Sequence, residues 1–390
     1  MIKKLINSIS LLCLSLLLLS CTSKVQEEFN SITNSKKSDT EIVKLVKEFE
    51  IKHPKHFESK LLLAEYYISV NDVDNAYDYL KRAAVVKKYA DKKQRDVYYT
   101  KLFGYLATIE FSRKEYDSAE INVKNAIKYD KQHTHGYEYM LGHLQVIKEN
   151  NEDALKIFDD SYAKQPELAT ASDLQTYMYL LAEAERYEEC TAIINTYMAT
   201  GQWFAGLGSF ASTVFEKAGM LQESLLCAFL EYEYNSSMTA PEDEKFLKNI
   251  DSVEQLCKEN GTLEIVLPVL SLIRNLYTNN ENFNVEVHDN FVSKYLIIRN
   301  RIKGKTATES DFQVLLSLEP YFRNFPIYYW NVWECVKVID SNQLKNFVTV
   351  LKKTIALSPS STLAETARNE IKDIFGVSSN ENVDLDLLLF

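Results

Sequence analysis

One small residue recurs along much of this chain at nearly constant spacing, and that recurrence limits the possible folds more than any other feature. Ala76, Ala119, Ala154, Cys190 and Ser224 occupy similar frames at intervals of 43, 35, 36 and 34 residues. A polar turn precedes each, as in NDVDNAYDYLKRA, RKEYDSAEINVKNA and NNEDALKIFDDS, and a hydrophobic residue follows four positions on. RYEECTAIINTY and MLQESLLCAFLE repeat the layout more loosely. Twelve and thirteen residues upstream stands a second pair: Leu63-Ala64, Leu106-Ala107, Leu141-Gly142, Tyr177-Met178 and Ala211-Ser212. Small residues on facing helices let the two axes approach, so that two short antiparallel helices bury a common face. Such a unit cannot hide its apolar surface alone, and neighbours must stack. With 10 Gly and 7 Pro in 390 residues, the composition disfavours β-sandwiches and Gly-looped nucleotide folds. A plain helical bundle with chance periodicity is the competing reading.

The layout resembles the tetratricopeptide repeat (TPR), a 34-residue helix-turn-helix unit. Tyr67 and Phe215 fall where that family favours an aromatic, Gly219 in its turn and Pro166 in its inter-repeat loop. There are departures: about nine extra residues separate the first two copies (KKYADKKQRD), and Met178 stands where a small residue is expected. The resemblance implies an all-α fold, an α-α superhelix of about five repeats within residues 39–236 that opens with a capping helix at 39–52. Beyond residue 237 the period blurs while helical signals continue. Helices are expected at 243–258, 261–278, 286–304, 309–323, 327–339, 342–357 and 361–375, forming an irregular or degenerate-repeat region over 237–376 with a soft boundary near Ser237 to Pro241. Pro268, inside TLEIVLPVLSLI, is expected to kink its helix or restart it. Residues 377–390 read as a tail whose apolar end, Leu387 to Phe390, docks on the body or a partner, or stays disordered.

The first residues give an address. Lys3 and Lys4 precede a mostly apolar run from Ile6 to Leu19, which leads through Ser20 into Cys21. A basic start and a short apolar core make a secretory signal, too short to span a bilayer comfortably. It resembles a bacterial lipoprotein signal, apart from Leu19 where a smaller residue is usual. That resemblance implies cleavage between Ser20 and Cys21 and acylation of Cys21; an uncleaved anchor helix is the alternative. Loss of residues 1–20 removes two lysines and no acid, taking the net charge from −11 to −13. Residues 21–38, polar and without evident period, read as a flexible tether. The resemblance implies a bacterial cell-envelope location, preferentially the outer membrane facing the periplasm as is common for such lipoproteins, and Thr22 after the cysteine offers no Asp to suggest inner-membrane retention.

Chemistry is harder to find. The acidic balance, 44 Lys plus Arg against 55 Asp plus Glu, offers no basic block for phosphates, so no nucleic-acid partner is expected. No nucleophile elbow, dinucleotide fingerprint or P-loop occurs, and no enzyme, cofactor or metal is expected. His133-Thr134-His135 with Asp130 is the nearest approach to a metal set, but a loop between repeats explains it as well. Cys190, Cys227, Cys257 and Cys335 stand far apart; Cys190 with Cys227 is the pair to examine for a disulfide, and free buried thiols are the favoured reading. In the TPR family, ligands usually lie on the inner face of the first helices. Projected onto this chain, that frame brings Glu65, Thr108, His143, Tyr179 and Thr213 to equivalent positions, with Leu61, Gly104, Tyr139, Gln175 and Ser209 one turn earlier. The Lys and Asn clamp by which some relatives hold a peptide carboxylate is missing. Tyr139 and Tyr179 serve either a partner or packing between helices. The leading expectation is a lipid-anchored scaffold that binds envelope proteins. The alternative is a solute-capture lipoprotein with an apolar pocket between the regular and irregular halves, lined by Tyr329, Trp330 and Trp333, and the weakest is a hydrolase within 240–390.

Overall fold

The computed structural model describes residues 24–86, 92–238, 243–277 and 290–377. Among them every regular element is helical. Helices α3 (Phe57–Ser69) and α4 (Val73–Ala84), α5 (Lys92–Ser112) and α6 (Tyr116–Tyr129), α7 (Tyr137–Ile147) and α8 (Asn151–Lys164), α9 (Ala171–Glu183) and α10 (Tyr187–Ala199), and α11 (Leu207–Lys217) and α12 (Leu221–Met238) pack as five consecutive pairs. The protein is an all-α helical-repeat chain, and these are the five expected units. Its residues divide into two compact units, up to 169 and from 170 onward. That division falls between the third and fourth pairs.

The small-residue frame explains the pairing. Ala64, Ala76, Ala107, Ala119, Ala154, Cys190 and Ala211 are all fully buried. Across one pair the Cys190 thiol donates to the Met178 carbonyl at 3.1 Å, and across the next the Ser212 and Ser224 hydroxyls meet at 2.9 Å. Gly142 and Gly208 allow the closest approaches. A methyl on Gly142 would lie 2.6 Å from the Phe158 ring, and one on Gly208 2.5 Å from the Cys227 carbonyl oxygen.

The turns repeat more faithfully than the side chains. Asn71, Lys114, Glu149, Glu185 and Gly219 each adopt a left-handed conformation between the helices of a pair, with φ between 57° and 77°. In each, the next residue's N–H donates to the carbonyl five residues back, as in Asp72 to Tyr67 and Met220 to Phe215, both 2.8 Å, which closes the helix end in a Schellman turn. The same turn recurs at Gly261, between α13 (Asp243–Glu259) and α14 (Leu263–Tyr277), and at Lys305, between α15 (Phe291–Lys303) and α16 (Glu309–Ser317). The helix-turn-helix habit therefore outlasts the small-residue frame by two pairs. Irregularity appears later, in the four-residue α17 (Glu319–Phe322) and a 3₁₀ stretch over Ser341–Phe347 that separates α18 (Pro326–Ile339) from α19 (Val348–Leu357) and α20 (Thr362–Phe375). Helix α14 continues through Pro268, so of the expected kink or restart the restart does not occur.

Two expectations about the first unit change. The extra residues before the second repeat partly extend α5, which has 21 residues where other first helices have 11 to 13. Part of the expected tether is a helix, α1, over 24–33. Val25, Phe29 and Ile32 form its apolar stripe at helical spacing, and they pack with Val43, Val46 and Phe49 of α2 (Asp39–Lys52) and with Leu63. Seven of those ten residues are polar, which disguised a period carried by only three. The α2 N-terminus is closed by a capping box between Ser38 and Glu41.

The second unit holds the large aromatic core. Trp333 packs with Val348, Leu351, Ala367 and Ile371 where α18, α19 and α20 meet. Tyr295, Phe322, Phe325 and Tyr328 are almost fully buried around α15 and α18. Their polar tips are satisfied: Tyr328 donates to the Leu315 carbonyl at 2.7 Å and the Asn331 amide to the Tyr295 oxygen at 2.9 Å. A buried ion pair, Glu233 on α12 with Arg299 on α15, is completed by the Tyr277 hydroxyl, which donates to Glu233 at 2.5 Å. Burial, then the Glu233 charge, hold the Tyr277 hydroxyl well above the usual tyrosine range.

Candidate partner-binding surface

On the first helices of each pair, positions four residues apart fall on one side. In the first unit that side carries Glu65 on α3, Thr108 on α5 and His143 on α7. The Glu65 carboxylate accepts from the Lys101 ammonium at 2.9 Å and the Tyr105 hydroxyl at 3.4 Å. The hydrogen bond to Glu65 raises Lys101 above the usual lysine value, against the opposing effect of burial. Thr108 is exposed, its hydroxyl donating to the Gly104 carbonyl at 3.0 Å. His143 is half-buried and meets the Phe158 ring edge-on at 5.4 Å.

The row one turn earlier closes to solvent. Leu61 is core, and a methyl on Gly104 would fall 2.1 Å from the Tyr137 hydroxyl oxygen, which reaches toward the Thr100 carbonyl. Tyr139 is 3% exposed, with its hydroxyl donating to the Gln165 carbonyl at 3.2 Å and its ring 5.8 Å from that of Phe158. Of the two readings of Tyr139, packing is the one realised, and no partner can grip a ring so covered.

In the second unit the same projection lands on open surface. Tyr179 on α9 is 42% exposed and meets Phe210 of α11 edge-to-face at 4.7 Å. Gln175 is half-buried, Ser209 and Thr213 are exposed, and the Thr213 hydroxyl donates to the Ser209 carbonyl at 3.1 Å. These residues make a neutral aromatic patch on consecutive first helices. Phe210 was missed in the sequence because the frame counts only every fourth residue.

A cleft of about 690 Å³ also opens in the second unit. Met198 of α10, Phe215 of α11, Leu226 and Cys227 of α12 and Phe291 of α15 contribute to its walls. Phe291 stacks on Tyr321 at 4.5 Å. Asn195, Glu223, Asn290 and Lys294 are the main polar groups around it. The pocket residues expected from sequence are elsewhere. Trp333 is fully buried, with its indole N–H donating to Glu370 at 3.3 Å, Tyr329 is buried with its hydroxyl donating to Glu319 at 3.1 Å, and Trp330 packs against the Trp333 core. Tryptophan and tyrosine serve cores and pockets alike, so their type could not decide between them.

The remaining candidates are structural. His135 approaches the buried Asp130 at 2.9 Å and His133 approaches Glu138 at 2.6 Å; Asp130 also accepts from the Thr134 amide. Among the described residues no three His, Cys, Asp or Glu side chains converge to hold a metal ion. Cys190, Cys227 and Cys335 are buried free thiols, and Cys257 is a half-buried one. Burial pushes the Cys190 and Cys335 thiols up to about 12, far from a reactive thiolate. Ser20 and Cys21 lie outside the described residues. Among those described, no helix is long and apolar enough to cross a membrane.

No protein-family model matches the chain, and no curated protein does. Solved structures similar to it include YrrB, described as a TPR protein with an unusual peptide-binding site, at 14% identity and a TM-score of 0.38 over 47% of this chain and 88% of that one. Naa15/Naa10 bound to HypK-THB is another, at 13% identity and a TM-score of 0.34 over 90% of this chain. This chain spans 61% of that one's length. The fold assignment rests on the helix pairs themselves.

Proposed function

We propose that this chain is a lipid-anchored, non-catalytic scaffold of a bacterial envelope, attached through Cys21 to the periplasmic face of the outer membrane, that holds protein partners on its helical pairs. The order of basic start, apolar core, Ser20 and Cys21 supports the anchor. The observation that carries the scaffold reading is the patch of Tyr179 and Phe210, bordered by Gln175, Ser209 and Thr213. A tyrosine left 42% exposed beside a second aromatic offers rigid amphipathic area at small entropic cost, the chemistry of an interface anchor. In-cell photocrosslinking tests it: a crosslinker in place of Tyr179 is expected to trap one discrete protein, and one in place of the exposed Lys156 to trap none. Equal or absent adducts at both positions would remove the patch from the reading.

The cleft beside Phe291 and Tyr321 favours a second reading, capture of a small apolar solute, since its volume lies within the range of ligand pockets. Native mass spectrometry of the chain isolated from cells separates the two. A bound small molecule lost on Leu226→Trp would favour capture, and an empty chain the scaffold.

A further inference from the structure

If Cys21 carries acyl chains, the next question is how far the body hangs from the bilayer. The packing of α1 answers it. Only Thr22 and Ser23 separate Cys21 from Lys24, where the described helix is already formed. Three residue steps reach at most about 10 Å. The helix does not swing freely: Phe29 is 6% exposed in the core shared with α2 and Leu63. Polar contacts fix its first turns. Gln26 donates to Glu58 at 2.6 Å, the His56 ring meets Gln26 at 3.3 Å, and Lys52 donates to Glu28 at 2.8 Å.

We propose that the first unit is held directly against the lipid headgroups by its opening edge, formed by the start of α1, the loop over 53–56 and the start of α3. The proposal rests on the anchoring of Cys21. It replaces a tethered body with a clamped one, and so fixes which end of the helix pairs faces the membrane. Charge does not drive the contact. Lys24, Lys52 and Lys55 at this edge are offset by Glu27, Glu28 and Glu58, so covalent reach sets the distance, and zwitterionic and anionic bilayers serve equally. The far end of the pairs carries the α3–α4 turn and the start of α6. Arg113 beside that start pairs with Asp74 at the start of α4, and Lys148 with Asp117. A 13-residue helix separates the two ends by about 20 Å.

The test uses the acylated mature chain in phosphatidylcholine vesicles, with and without phosphatidylglycerol, carrying a fluorophore through Lys55→Cys or Asp117→Cys in a Cys257→Ser background. With a headgroup-attached quencher, the label at 55 is expected to be quenched several-fold more than that at 117, equally in both lipids. A 15-residue Gly-Ser insertion between Ser23 and Lys24 leaves the fold untouched and is expected to abolish the difference. Equal quenching at both sites in the uninserted chain, or no response to the insertion, would overturn the apposition while leaving the anchor standing. A mass showing Cys21 unmodified would overturn the anchor and the apposition with it.

Discussion

The five pairs from α3 to α12 and the helices from α13 to α20 build the same helix-on-helix architecture with different materials. In the first stretch, alanine, glycine, serine and cysteine at fixed positions bring axes close, and single large side chains such as Phe158, Phe215 and Phe229 fill what remains. In the second, large aromatics with hydrogen-bonded tips do the filling, and a buried ion pair ties α12 to α15. Small residues at a fixed interval leave a period in the sequence. Aromatics that interlock from several helices leave none, because their positions depend on the neighbours' shapes rather than on a repeated frame.

That contrast predicts where damage is greatest. Trp333→Ala empties the largest fully buried side chain, and about 3–5 kcal/mol of stability should be lost in urea unfolding. A loss below about 1 kcal/mol would show that the aromatic core is loosely packed. Gly208→Ala attacks the other kind of joint, where the new methyl meets backbone on α12. The expected cost is about 1–3 kcal/mol. A neutral result would mean that the close approach is not needed.

Smaller effects come from the shared turns. Glu149→Gly relieves a non-glycine residue at φ 60° and should stabilise by about 1 kcal/mol, whereas Gly219→Ala, at φ 77°, should destabilise by a similar amount. Gly261→Ala should behave like Gly219→Ala if the turn has the same role in both stretches; thermal melts would decide.

The last effect is confined to a pH window. His56 caps α3 by accepting from the Ser59 amide at 3.1 Å, and burial, then the charges of His53 and Lys60, lower it from 6.5 to about 4. The unfolded chain therefore binds a proton at higher pH than the folded one, and stability should fall as pH drops from about 6.5 toward 4. His56→Asn retains a capping acceptor and should flatten that part of the stability–pH profile. An unchanged pH profile would remove His56 as its cause.

Much of the architecture was readable before any coordinates. The five pairs fell where Ala76, Ala119, Ala154, Cys190 and Ser224 placed them, and the helices after residue 243 fell near their expected bounds, because helix periodicity and capping are local properties. The candidate surface was less legible. Tyr139 and Tyr179 occupy related frame positions, yet one is core and the other 42% exposed. Tyr329, Trp330 and Trp333 suggested a pocket and form a core, while the cleft gathers Met198, Leu226, Phe291 and Tyr321 from helices far apart in the chain.

Alone, the sequence determined that short helices pair, roughly where each begins, and which small residues lie at their crossings, since these follow from spacing and from the size of a single side chain. Only the tertiary structure decided that Val25, Phe29 and Ile32 anchor α1 to the body, that Schellman turns continue to Lys305, and which aromatics remain in solvent. Burial is a property of what arrives from elsewhere in the chain, and no residue carries that information in its own identity.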